Sequence, residues 1–158
     1  MKRSLLEFRV HWKNYIFQSL LAAFILFISL LLFNIEKTPI MIASIGATAF
    51  VIFAMPNSLT AKTRNTIGGY IAGIITGSLC AFIPHDSYIA AMSIYSVAVG
   101  VSIFIMVVAD LEHPPASGAA LSFAINGFEL RTAITVISCV IILSLIRAIF
   151  KKHLRDLT

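Results

Sequence analysis

The sequence predicts an all-α integral membrane protein, with six transmembrane segments in a 3+3 inverted repeat whose second and fifth segments are short or broken. Three observations carry this. Hydrophobic residues make up 59% of the 158 and charged residues 12%, with mean hydropathy +0.94. A soluble domain of this size needs far more charge to cover its surface, and the length suits a single domain. The cations crowd the two chain ends, beside apolar runs. Finally, two short stretches of small residues, one in each half, match each other.

Taken in order, the first segment is Tyr15–Phe33, preceded by Lys2, Arg3, Arg9 and Lys13. Its apolar run of about 19 residues is too long for a signal peptide, and no A-x-A site closes it, so it reads as a retained helix. The second segment, Pro39–Met55, reads "PIMIASIGATAFVIFAM". The third, Ile67–Ile83, carries Gly69, Gly73 and Gly77. The fourth is Tyr88–Ala109. The fifth, Pro114–Ile125, lies within "DLEHPPASGAALSFAIN" at 110–126. The sixth, Thr132–Phe150, contains Arg147 close enough to its end to snorkel. The four long segments are near the ~20 residues a spanning helix needs.

Charge decides between four spans and six. Six spans place the loop "PNSLTAKTRN" with the basic ends, adding Lys62 and Arg64 to Arg147, Lys151, Lys152, Arg155 and the N-terminal cations. Ten of the twelve Lys and Arg are then cytoplasmic, with only Lys37 and Arg131 outside. Four spans lower the score to eight, and five strand the basic C-terminus outside. The positive-inside rule favours six, with both termini cytoplasmic and the chain multi-pass in a bacterial inner membrane. The net charge of +5 is therefore membrane anchoring, not a nucleic-acid face. Cys80 and Cys139 fall inside apolar runs and read as small buried hydrophobes.

"SIGATA" at 44–49 matches "ASGAAL" at 116–121, and Phe53-Ala54 echoes Phe123-Ala124. Arg64 precedes the third segment as Arg131 precedes the sixth. Three crossings per half make the halves inverted, about 15–84 and 87–150, and matching interrupted segments then point to a midplane site. Pro114 and Pro115 suit a helix's first turn, with His113 near the cap. Ala116, Ser117, Gly118 and Ala119 leave that turn's amides open to something small and negative. Ser44, Gly46, Ala47 and Thr48 offer a similar stretch from the other side. This constellation suits a small anion.

Other polar residues carry two readings each. Asp110, Glu112 and His113 form either a gate or proton relay, or an interfacial loop with His113 as cap; as metal ligands they are too nearly consecutive. Arg64 and Arg131 either attract an anion or anchor to headgroups. Gly69, Gly73 and Gly77 either pack within the subunit or form a homo-oligomer contact. Tyr70 and Tyr95 either line a cavity or pack. His85-Asp86 reads as a solvated turn. No Ser with a nearby base, no H-E-x-x-H and no phosphate loop is present, so the sequence points to no enzyme and no cofactor. The alternative to transport is a membrane anchor or sensor that couples to partner proteins. A membrane enzyme using Asp110, Glu112 and His113 ranks last.

"EHPPASGAAL", together with "SIGATAFVIFAMPNSLTAKTRNTIGGY", resembles the two signature blocks of the HPP family of integral membrane proteins. The resemblance covers roughly residues 15 to 150 and implies one HPP-type transmembrane domain over 1–158. Family members include plant chloroplast proteins implicated in nitrite transport, which implies nitrite or a related small anion as substrate. The matched positions are Gly46, Ala47, Pro56, Arg64, Asn65, Gly68, Gly69, His113, Pro114 and Pro115. The chain departs from the family where Ala116-Ser117-Gly118-Ala119 replaces Gly-Gly-Ala-Thr, and where Tyr70 replaces a histidine. The family is often described with four spans; the charge count gives six.

Overall fold

The computed structural model describes residues 2–31 and 39–157, with the side chains of 2–6 and Ser29 left aside. The expected end of the first span at Phe33, the external Lys37 and the anchoring side chains of Lys2 and Arg3 lie outside the described residues. The described elements are helical: α1 (Lys2–Leu30), α2 (Pro39–Ala54), a 3-10 turn (Leu59–Ala61), α3 (Thr63–Ala81), α4 (Tyr88–Val108), α5 (Ala116–Asn126) and α6 (Leu130–Phe150). Two of them, α4 and α6, are long and apolar enough to cross a membrane alone; α2 is a shorter apolar helix.

Local chemistry sets several boundaries. His11 leaves the helical region (φ −119°, ψ 22°), so α1 is two pieces joined at a kink. The Ser87 hydroxyl accepts from the Ala90 amide at 3.2 Å and starts α4. Helix α4 ends in a Schellman motif: Asp110 takes φ +54°, Leu111 N donates to Met106 O (2.7 Å), and Asp110 N donates to Val107 O (3.3 Å). Aspartate is among the few residues besides glycine that tolerate the left-handed conformation. The motif turns the chain sharply inward at Leu111.

The inward course is possible because α3 presents no side chains there. A Cβ on Gly68 would meet Leu111, and one on Gly69 would lie 2.9 Å from the His113 Cβ. One on Gly73 would collide with the Ala116 carbonyl, and one on Gly77 with that of Ala120. Sequence numbers rise together along this contact, so residues 111–126 run alongside α3 in the same direction. The first part is irregular and helix α5 begins only at the level of Gly73. Gly69, Gly73 and Gly77 thereby pack against residues of the same chain, the first of the two readings the sequence offers for them.

Helix α2 crosses α5 in the opposite sense, with Ser44 beside Pro115 and Gly118, and Thr48 beside His113. It also packs on α1 and α6, while α3 packs on α4, α5 and α6. Each short helix thus lies against the third helix of the other half.

At one end the tail gathers onto the α2–α3 loop. Leu157 N donates to Ala54 O (2.8 Å), and Asn57 bonds Asp156 through its amide and Nδ2, both at 3.0 Å. Tyr15 Oη donates to Leu157 O (3.0 Å), and Gln18 Nε2 to Phe53 O and to Arg155 O (2.9 Å). Arg147 does not snorkel. It is 7% exposed, and its Nε (2.9 Å) and Nη2 both donate to Pro56 O. A guanidinium so placed clamps the loop carbonyl that a proline turn leaves without a helical partner.

The glycine face yields a stability contrast. Gly73→Val, which drives a side chain into the Ala116 backbone, is expected to cost about 1–3 kcal/mol, the usual range for overpacking. Gly46→Val, where an added Cβ meets nothing within 4 Å, is expected to stay within about 0.5 kcal/mol. Thermal midpoints of the two purified variants in detergent check this; equal midpoints would remove the close α3–α5 approach.

Candidate functional site

The site is built from the loop that enters beside α3. Residues Pro114 and Pro115 form a turn, and α5 starts at Ala116, two residues after the expected start at Pro114. The first-turn amides are not open. Ala116 N donates to His113 O (2.9 Å), Ser117 N to Pro114 O (3.1 Å) and Gly118 N to Pro115 O (3.0 Å). An amide-lined anion cradle at Ala116–Ala119 is therefore corrected: this turn closes on itself. Ala116 and Ala119 are fully buried.

The imidazole of His113 does not cap α5. It turns inward and is fully buried. Its Nδ1 lies 2.7 Å from Thr60 O and its Nε2 2.9 Å from Thr48 Oγ1. A carbonyl oxygen only accepts, so Nδ1 carries the hydrogen and donates it. Thr48 Oγ1 stands 2.9 Å from Tyr70 Oη, which stands 2.8 Å from Ser44 Oγ. Ser44 Oγ in turn donates to Pro115 O. A continuous row of polar atoms thus joins the 3-10 turn to the start of α5, through α2 and α3. The rings of Tyr70 and His113 lie 5.7 Å apart, tilted by 42°.

Helical geometry explains which predicted residues take part. Ser44 and Thr48 are one turn apart and share a face of α2. Gly46 and Ala47 fall on other faces: Gly46 has open space beside it and Ala47 is exposed. The matched motif therefore contributes its two hydroxyls, and its Gly-Ala pair stands outside the row. Gly118 does meet Ser44, with Cβ positions 3.1 Å apart if a side chain is added. The two small-residue stretches come together there, as their resemblance suggests.

The acidic residues separate from the histidine. Asp110 is exposed, and Glu112 faces Asn65, whose Nδ2 lies 3.4 Å from Glu112 O and 3.5 Å from Oε2. Neither carboxylate bonds either ring nitrogen of His113. Among the described residues, no group of three His, Cys, Asp or Glu side chains is placed to hold a metal ion. Arg64 is exposed and donates to Ala109 O at 3.0 Å; Arg131 is also exposed. Ser117 Oγ donates to Pro114 O (2.8 Å). Its side chain, with Ile103, Met106, Val107, Glu112, His113 and Pro114, lines a half-open cleft of about 330 Å³ against α4.

Tyr70 is central to the row, although its sequence context reads equally as packing. It is fully buried and is the one hydroxyl that touches both Ser44 and Thr48. His85 Nε2 lies 3.2 Å from Tyr95 Oη, which ties the short α3–α4 turn to α4.

A family model described as "HPP, transmembrane region" matches residues 8–156. No curated protein and no solved structure matches the chain.

The row makes a testable demand on stability. Thr48→Val keeps the side chain's shape and leaves His113 Nε2 buried without a partner, for an expected loss of about 1–3 kcal/mol. Ser117→Ala removes a hydroxyl that bonds only within its own turn and is expected to stay within about 0.5 kcal/mol. Denaturation in detergent separates the two; a Thr48→Val protein as stable as the parent would dissolve the row.

Proposed function

We propose, for a chain that belongs to the HPP transmembrane family, that it moves a small monovalent anion, nitrite first, across a bacterial inner membrane. On this reading six segments cross and the halves form an inverted 3+3 repeat. Both termini and the α2–α3 loop face the cytoplasm. In support, the tail, this loop and the first part of α1 share one end of the molecule. In further support, residues 111–126 follow α3 from near its start toward its end, so an irregular half and a helical half together span most of its length.

The observation that carries the reading is the buried row Ser44, Tyr70, Thr48 and His113, set where two short small-residue helices meet. Polar side chains in a membrane interior are costly and mark substrate paths, and irregular backbone at that depth is tolerated where protein or a cavity surrounds it. In this proposal the anion meets hydroxyls and the imidazole instead of free amides. It enters through the cleft beside Ser117, with Arg64 and Arg131 at the helix ends giving long-range attraction.

Nitrite flux into proteoliposomes tests this. The protein is expected to raise uptake above protein-free vesicles. Gly118→Leu, which pushes a side chain onto Ser44, is expected to slow it by about tenfold or more, the effect of roughly 1.4 kcal/mol on the barrier. Unchanged flux in a folded Gly118→Leu protein would remove the site. Absence of flux for any small anion would favour the anchor or sensor reading instead.

A further inference from the structure

The hydrogens in the buried row do not balance when His113 is neutral. Five contacts need one hydrogen each: His113 Nδ1 to Thr60 O, His113 Nε2 to Thr48, Thr48 to Tyr70, Tyr70 to Ser44, and Ser44 to Pro115 O. Both ends are carbonyl oxygens, which have no hydrogen to give. A neutral imidazole brings one, and Thr48, Tyr70 and Ser44 bring one each, so four hydrogens serve five contacts. The two ends take those of Nδ1 and Ser44. Thr48 and Tyr70 are left to fill three contacts with two hydrogens. One pair of lone pairs must then face each other across 2.8 or 2.9 Å. If Thr48 turns instead to the Ser44 carbonyl at 3.1 Å, the shortfall grows. One proton added at Nε2 removes it. Every contact then holds one hydrogen: Nδ1 donates to Thr60 O, and the other four point from His113 toward Pro115.

An imidazolium here has no carboxylate bonded to it; Glu112 borders the same cleft with its carboxylate toward Asn65. Facing it are Thr48 from α2, Gly69 and Tyr70 from α3, the Thr60 carbonyl from the 3-10 turn and Met106 from α4. The nearby titratable groups are the Tyr70 phenol, the Cys139 thiol beyond it on α6, and Glu112, whose carboxylate is turned to Asn65. A lone buried charge, of either sign, is strongly unfavourable in such an interior. An anion in the cleft that His113 and Ser117 share would supply the missing partner, and the pair would carry no net charge.

We infer that anion and proton load together, the proton on His113, so that each anion crosses with one proton. This rests on the anion-transport reading above. The proton arrives from the aqueous phase on the loading side and binds Nε2, and the Thr48 and Tyr70 hydrogens turn toward Pro115. On the far side Nε2 returns the proton to water as the anion leaves, and the hydroxyls turn back. By linkage, each ligand strengthens the binding of the other by the same factor.

The test uses the full chain in proteoliposomes, with nitrite uptake and a trapped pH dye read together and the membrane potential set by a potassium gradient and ionophore. Rates in protein-free vesicles are subtracted, which removes passive entry of nitrous acid. Protein-dependent uptake is expected to bring one proton per nitrite, to ignore the sign of the potential, and to rise roughly tenfold per unit of external acidification while the imidazole is mostly neutral. Nitrite uptake that follows the potential and brings no proton would overturn the coupling and leave the transport reading standing. No protein-dependent uptake would overturn both. His113→Gln keeps hydrogen-bonding groups without a titratable nitrogen and is expected to lose the acid-driven flux by about tenfold or more; full proton-coupled flux in that variant would remove His113 as the carrier. If the variant does not fold, the ring ¹⁵N shifts of His113 in the parent decide. Nitrite is expected to convert the Nδ1-protonated ring to the doubly protonated one, and an unchanged ring would refute the assignment.

Discussion

The constraint on which the structure depends is that backbone polar groups inside a bilayer must find partners within the protein. Residues 109–115 are not helical, yet they lie against the face of α3. Five of their seven carbonyls are taken up individually: Ala109 O by Arg64, Glu112 O by Asn65, His113 O by Ala116 N, Pro114 O by Ser117, and Pro115 O by Ser44 and Gly118 N. The two prolines act on the other side of the ledger. Neither has an N–H, so two donors that would need partners do not exist. His-Pro-Pro is thus a physical solution to bringing irregular chain into a dry interior. It works only because Gly68, Gly69, Gly73 and Gly77 leave room for it.

That arrangement produces a polar row with no permanent charge. The Arg147 guanidinium is spent on Pro56 O at the far end of the α2–α3 loop, and Arg64 on Ala109 O. Both hold backbone, at the edges of the fold. What remains in the centre are hydroxyls and one imidazole, groups that reorient by rotating a hydrogen instead of moving a side chain. On the proposed transport reading, a centre of this kind binds an anion weakly unless a proton comes with it, and weak binding permits release.

Much of this was legible in the sequence. Apart from α1, which begins at Lys2 and not at Tyr15, the helices fall within about four residues of the expected segments, because apolar runs and turns such as "PHDS" are local signals. The approach of Ser44 to Gly118 was legible in the match between "SIGATA" and "ASGAAL". The inward turn of His113, the place of Tyr70 and the burial of Arg147 were not. His113 and Arg147 bond Thr60 O and Pro56 O, and a backbone carbonyl leaves no mark in a sequence; Tyr70 bonds the Ser44 and Thr48 hydroxyls, which lie on a segment 22 to 26 residues away. Gly46 and Ala47 stand outside the row for a different reason. A motif match ignores helical phase, and the i, i+4 spacing of Ser44 and Thr48 selects those two positions for one face.

The two halves are alike in connectivity and unlike in closeness, and this difference has a mechanical consequence. Each short helix lies against the third helix of the other half. The α3–α5 pair meets through glycines, backbone against backbone. The α2–α6 pair has no such row, and α6 buries Val136, Cys139, Val140 and Leu143 instead. Backbone-to-backbone contact leaves little freedom to slide, whereas interlocked side chains can exchange rotamers. Residues 111–126 are therefore locked against α3, and the side-chain packing that leaves more freedom to slide is at α2 and α6. The row crosses that boundary at two places only, where Ser44 and Thr48 of α2 meet Tyr70, His113 and Pro115. Sliding of α2 along α5 would break these contacts while leaving His113 bonded to Thr60 O. The imidazole's two nitrogens thus have separate tasks: Nδ1 fixes the ring to the turn, and Nε2 faces α2.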